Sequence, residues 1–256
     1  MSLIEKARSR RRALIVGDSH TVALQEALAA RQARGQPSLI DFEIFRVGLT
    51  KPNGNKIPGP TVDEIIVRLE QSSPDDVLVS VIGGNQYNAL GLLRHPEPFD
   101  VFEPGGETTG ALGARIIPYA IMTQVFAEHL RNGRSAEMIR LRAAFNGRAF
   151  HMAPPPPKQD NEYIRQRAEK DFRQEKVVPP VNDPHARLRL YRLQVEGLKR
   201  LCATLEMGVV EAPSETTEGG FLAPCYWGKD ATHANADYGE VMLRQLETLI
   251  ADPYDA

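Results

Sequence analysis

Short apolar runs that end in glycine alternate along this chain with longer stretches whose apolar residues return every three or four positions. The first run, 13–16, feeds Gly17 and predicts a buried strand entering a turn. Val22, Leu24, Ala27 and Leu28 then recur at roughly helical spacing until Gly35 and Pro37 stop the helix. A second strand is predicted over 40–47, closed by Gly48, and the Pro- and Gly-rich stretch 51–60 reads as a loop. Thr61 caps a helix whose Ile65, Ile66 and Leu69 form an apolar stripe. The run 77–82 has the β-branched density of a parallel strand buried on both faces, and it too meets glycine, at Gly83 and Gly84.

The pattern is more interrupted in the second half. Residues 95–113 are rich in Gly, Pro and acidic side chains and predict an excursion at the rim of the sheet. A helix over 121–130 and a fourth strand over 148–152 follow, and then Pro154, Pro155, Pro156 and Pro157 predict a stiff extended wall. The charged stretch 161–176 lacks a broad apolar face and reads as a solvated helical cover rather than a membrane-seeking lid. A long amphipathic helix over 187–207, a short fifth strand over 209–211 and a last helix from about 235 to 249 complete the chain.

Strands that alternate with helices argue for βαβ units, with right-handed crossovers placing helices on both faces of a parallel sheet. The expectation is an α/β fold of one domain over 1–256, with five strands and rim insertions at about 95–117 and 154–185. Ligands of such sheets bind outside the carboxyl ends of the strands, so the turns at Gly17, Gly48 and Gly83 should share one rim.

Composition narrows the function classes. Hydrophobic residues at 42% and charged residues at 25% are ordinary globular usage. A formal charge of -2, from 31 basic and 33 acidic side chains, gives no electrostatic footprint for nucleic acid. The basic cluster of Arg8, Arg10, Arg11 and Arg12 precedes an apolar run too short for a signal core, and no later stretch is long enough to span a bilayer. A cytoplasmic protein without a membrane partner is expected. Cys202 and Cys225 lack metal-ligand spacing and are too few for a disulfide framework, so ordinary thiols and no cofactor are expected.

The residues that can carry chemistry lie at the glycine turns. Residues 17–20 read G-D-S-H between a buried strand and a helix, which exposes Ser19 near the positive end of a helix dipole. Asp18 or Ser19 serves equally well as a helix cap. Neither the dinucleotide fingerprint nor the phosphate loop ending G-K-[ST] is present. Near the other terminus, W-G-K-D-A-T-H-A-N sets Asp230 three residues before His233. A serine hydroxyl needs an adjacent base to become nucleophilic, and that imidazole needs a carboxylate to fix its tautomer, so Ser19, His233 and Asp230 are the right three groups. On spacing alone, Asp230 as a cap of the last helix and His233 as a surface side chain are as good a reading. The block V-S-V-I-G-G-N-Q brings Asn85 to the same rim, where its amide, with backbone N–H groups of Ser19 and Gly48, can donate to an oxyanion; Asn85 also suits an ordinary left-handed turn.

Taken in order, G-D-S-H, Gly48 after the second strand, G-G-N-Q after the third and D-A-T-H before the last helix resemble the sequence blocks of the SGNH, or GDSL-type, hydrolase superfamily. The resemblance spans Gly17 to His233. It implies a flavodoxin-like three-layer α/β/α fold with a five-stranded parallel sheet, and Ser19 as nucleophile. It also implies Gly48, Asn85 and the Ser19 amide as oxyanion donors, and His233 with Asp230 as the rest of a triad. His20 stands where many members have leucine and Gln86 where the third block often has aspartate, departures that bear on subfamily and substrate.

The expected function is a serine esterase acting through an acyl-serine intermediate on short acyl esters of a small molecule or glycan, such as carbohydrate O-acetyl groups. An acyltransferase with the same triad and a noncatalytic carbohydrate-binding module are the alternatives. His151, at the end of the fourth strand, and Trp227, three residues before Asp230, are the further candidates for substrate contact; a buried tryptophan with a satisfied N–H is the commoner outcome.

Overall fold

The computed structural model describes residues 11–50, 57–102, 114–133, 136–171 and 180–251. Arg8, Arg10, most of the loop over 51–60, much of the rim excursion and the end of the charged helix beyond residue 171 lie outside the described residues.

Five strands form one all-parallel sheet: β1 Arg12–Gly17, β2 Asp41–Arg46, β3 Val77–Val81, β4 Arg148–Met152 and β5 Gly208–Val210, in the order β2-β1-β3-β4-β5. This is the flavodoxin-like order, with a switch point between β1 and β3. Among the described residues eight α-helices follow in chain order: α1 Thr21–Ala33, α2 Val62–Glu70, α3 Gln86–Gly91, α4 Tyr119–Asn132, α5 Ala136–Ala143, α6 Asn161–Asp171, α7 Pro184–Thr204 and α8 Ala236–Ala251. All five strands of the sequence analysis are present, with ends shifted by one or two residues.

Side-chain alternation along buried strands builds two cores. Ala13 and Ile15 of β1 with Val77, Val79 and Val81 of β3 pack beneath α1 and α8. Leu14, Val16 and Leu78 face the other way, against α2, α4, α5 and α7. Both faces of the sheet are thus covered, which is why β3 is apolar at nearly every position. Two glycines set close approaches. A Cβ on Gly17 would lie 2.6 Å from the Cβ of Val81, and one on Gly239 would lie 2.1 Å from the carbonyl oxygen of Ala23, so α8 rests directly on α1. Arg31 of α1 fastens that contact through Glu240 at 2.6 Å and Glu247 at 2.8 Å.

Four features depart from the expected pattern. Helices α3 and α5 stand where none was predicted, and the rim excursion carries a parallel pair, Phe99–Phe102 with Arg115–Pro118. The proline run is buried rather than rimming solvent; its carbonyls accept from Tyr191 (Pro154, 3.2 Å), Tyr87 (Pro155, 3.0 Å) and the Leu222 amide (Pro157, 3.0 Å). Residues without an N–H suit a buried segment that has no ladder partner. Helix α6 is not wholly solvated either: Ile164 and Ala168, four residues apart, are fully buried.

Candidate active site

The turn after β1 is stitched to the end of β3. The Asp18 amide donates to the Val81 carbonyl at 3.3 Å, and the Gly83 amide donates to Asp18 Oδ2 at 3.0 Å. The Asp18 side chain therefore braces two strand ends and does not cap α1, which has no side-chain cap. Ser19 follows at the entrance to that helix.

The partner loop precedes α8. Gly228 and His233 close it by a backbone bond of 2.9 Å, and Asn235, whose Oδ1 accepts from the Tyr238 amide at 3.1 Å, caps α8 in place of Asp230. Asp230 instead turns back on its own loop. Its Oδ1 accepts from the amides of Thr232 (2.8 Å) and His233 (2.7 Å), and its Oδ2 lies 2.7 Å from His233 Nδ1. Partial burial works against ionisation, but the His233 ring and these two amides hold the carboxyl well below the usual carboxylate range. His233 Nε2 lies 2.6 Å from Ser19 Oγ, across 214 residues of sequence. With a carboxylate at Nδ1, the tautomer bearing the proton on Nδ1 is favoured and Nε2 is left as an acceptor for the serine proton.

Two cavities meet at Ser19. The larger, about 520 Å3, lies on the α1 and α8 side; Val22, Leu24, Met152 and Tyr238 give it an apolar floor, and Trp227 walls it. The smaller, about 310 Å3, is walled by Asp18, Ser19, Val47, Gly83 and Asn85. Asn85 has φ of -99°, so the left-handed turn belongs to Gly83 and Gly84 (φ 78° and 87°). Its Oδ1 accepts from Asn88 Nδ2 at 2.6 Å, which leaves its own amide N–H groups for the cavity. Gly48, with φ of 83°, gives its carbonyl to the Gly59 amide at 2.7 Å and borders a neighbouring cavity rather than either of these two.

His151 corrects the expectation of a substrate contact. It is 1% exposed and walls neither cavity at Ser19, because alternation along β4 turns Met152 toward the larger cavity and His151 to the opposite face. Neither of its ring nitrogens has a partner among the described residues, and burial pushes it down to about 4. Trp227 stands at the cavity wall while its Nε1 donates to the Leu222 carbonyl at 2.7 Å.

Two groups went unassigned in the sequence. His20 is buried with its ring centroid 4.8 Å from that of His233, and burial, aided by the nearby imidazole, pushes it down to about 3, so it stays neutral. The second is a clamp built from the insertion after β4. Lys158, 2% exposed, donates to the carbonyls of Gly228 at 3.0 Å and Asp230 at 2.5 Å. Tyr163 Oη donates to Gly228 as well (2.5 Å), and Arg167 Nε to the Lys229 carbonyl (3.0 Å). The rings of Tyr163 and Trp227 pack at 4.6 Å, with Arg167 3.2 Å over the Tyr163 ring. A lone K, Y or R in a charged stretch gives no sequence signal for this; only the fold brings the segment to the loop.

No protein-family model matches the chain, and no curated protein matches it. Solved structures do resemble it at a distance. They include the periplasmic domain of a lipopolysaccharide acetyltransferase from Salmonella ser. Paratyphi A (12% identity, TM-score 0.48, covering 95% of this chain and 84% of that one). A carbohydrate acetylesterase from Sinorhizobium meliloti (14%, 0.45, 94% and 98%) and a GDSL-like lipase from Bacteroides thetaiotaomicron VPI-5482 (14%, 0.45, 94% and 88%) are also similar. Among the described residues no group of three or more His, Cys, Asp or Glu can hold a metal ion, and no helix is long and apolar enough to cross a membrane. The fold is a three-layer α/β/α sandwich on a five-stranded parallel sheet.

Proposed function

We propose that the protein is a serine ester hydrolase of the SGNH type, with Ser19 as nucleophile, His233 as general base and Asp230 as its orienting carboxylate. The observation that carries this reading is the unbroken relay of 2.6 Å from Ser19 Oγ to His233 Nε2 and 2.7 Å from His233 Nδ1 to Asp230 Oδ2. His233 takes the Ser19 proton as Oγ attacks the acyl carbonyl; the imidazolium is stabilised by Asp230 and then protonates the leaving alcohol. Asn85 and the Ser19 amide donate to the developing oxyanion from the smaller cavity, and water, activated by the same histidine, releases the acid.

The size of the larger cavity suits a small ligand. Its apolar floor under a polar rim fits a short acyl ester of a polar alcohol or glycan. The test is hydrolysis of a panel of p-nitrophenyl esters of increasing acyl length. Activity should be highest on the shortest chains and fall by at least about a thousandfold in Ser19→Ala. Turnover unchanged in that variant would refute the assignment.

A further inference from the structure

We infer that Arg46 makes this enzyme selective for esters carrying an anionic group, a carboxylate or phosphate, beside the scissile bond. The inference deepens the proposed esterase reading and rests on it. Arg46 is the last residue of β2, paired in register with Gly17, so it stands beside the turn that presents Ser19. It walls both the large cavity and the small one, placing it at the junction where the scissile carbonyl must sit. Strand alternation sends it to the same face as Phe42 and Ile44, the side on which the larger cavity lies.

Arg46 is partly buried, yet its guanidinium makes no hydrogen bond, ion pair or ring contact among the described residues. Other arginines that enter the protein are answered. Arg31 has two glutamates, Arg189 grips Asp100 at 2.7 and 2.8 Å, and Arg187 meets Asn161 and the carbonyls of Lys158 and Gln159. A permanently charged fork with five donors unused among the described residues is suited to bidentate capture of a carboxylate or phosphate. Of the other charged groups on the large cavity, Lys229 adds a cation at the exposed rim, Asp230 is committed to His233, and Glu26 is exposed on α1 and does not reach the small cavity. Asp18, which walls the small cavity, accepts from the Gly83 amide through Oδ2, and Arg46 is the cation placed at the junction next to Ser19.

Matched ester pairs test this and locate the anion. Monophenyl succinate against phenyl butyrate places the charge on the acyl side; 4-acetoxybenzoate against phenyl acetate places it on the alcohol side. One charged ester of the two pairs should show kcat/KM higher than its neutral partner by about 10- to 100-fold. That advantage should collapse in Arg46→Gln, chiefly through a raised KM for the charged ester, so that the two members of its pair become near-equal substrates, and it should shrink with added salt. Equal kcat/KM within both pairs, or an anionic preference that survives Arg46→Gln, would overturn the inference while leaving esterase activity standing. Failure of all four esters would instead count against the proposed function itself.

Discussion

Lys158 Nζ lies 2.5 Å from the backbone oxygen of Asp230, so a buried cation holds the residue that orients His233. Replacing it with the near-isosteric Lys158→Met should remove that bond and the one to Gly228 and loosen the loop. We expect kcat to fall by about 100-fold with KM little changed, since misplacement of a base by about 1 Å costs that much. Lys158→Arg should restore part of the rate.

Burial pushes Lys158 down to about 8 from its usual 10.5, against the opposing pull of Asp230. Its ammonium should be lost as the pH rises through about 8, adding a falling alkaline limb to kcat. The stability linkage has the opposite sign. Between about 8 and 10.5 the unfolded chain binds the proton and the folded chain does not, so this group's own contribution to stability rises with pH. Rate and urea midpoint measured together across pH 7 to 10 should diverge, and Lys158→Arg should lack the alkaline limb.

The side chain of Asn85 is proposed to meet charge that develops only in the transition state. Asn85→Ala should lower kcat by about two to three orders of magnitude with little effect on KM. Steady-state kinetics on a short-chain ester checks this, and loss confined to KM would assign the side chain to ground-state binding instead.

His20 and His151 are buried neutral, pushed down to about 3 and about 4 chiefly by burial. Below about 6.5 the unfolded chain takes up protons that the folded chain refuses, so stability should fall as the pH drops from about 6.5 toward 4. Each imidazole contributes on the order of 2 kcal/mol to that loss. His151→Leu, which removes two unpartnered nitrogens from an apolar site, should flatten the dependence in urea melts at pH 7 and pH 4.5.

The sheet was legible because its signals are local, an apolar run into glycine and a turn before a helix, whereas Ser19, Asp230 and His233 were legible as a group only through the joint order of the blocks along the chain, since the spacing of Asp230 and His233 fits a cap and a surface side chain equally well. What the sequence concealed depends on orientation and on distant pairing. His151 and Met152 are neighbours on one strand, and only registration against β3 and β5 decides which of them meets the cavity. Gly48 follows β2 as expected, but the chain bends after Val47, which itself walls the smaller cavity. The clamp of Lys158, Tyr163 and Arg167 was hidden for the opposite reason, since its polar residues are spread among charges that elsewhere on α6 do face solvent. Arg46 gave no signal at all, because a single arginine at a strand end is commonplace until its neighbours are known.

If Ser19 is a nucleophile made reactive by His233, its hydroxyl should react with an electrophilic phosphorus centre. Treatment with a fluorophosphonate followed by peptide mapping tests it directly. One modified residue, Ser19, is expected, with labelling lost in His233→Ala. A fully folded protein left unlabelled, or labelling of Ser19 at the same rate in His233→Ala, would contradict it.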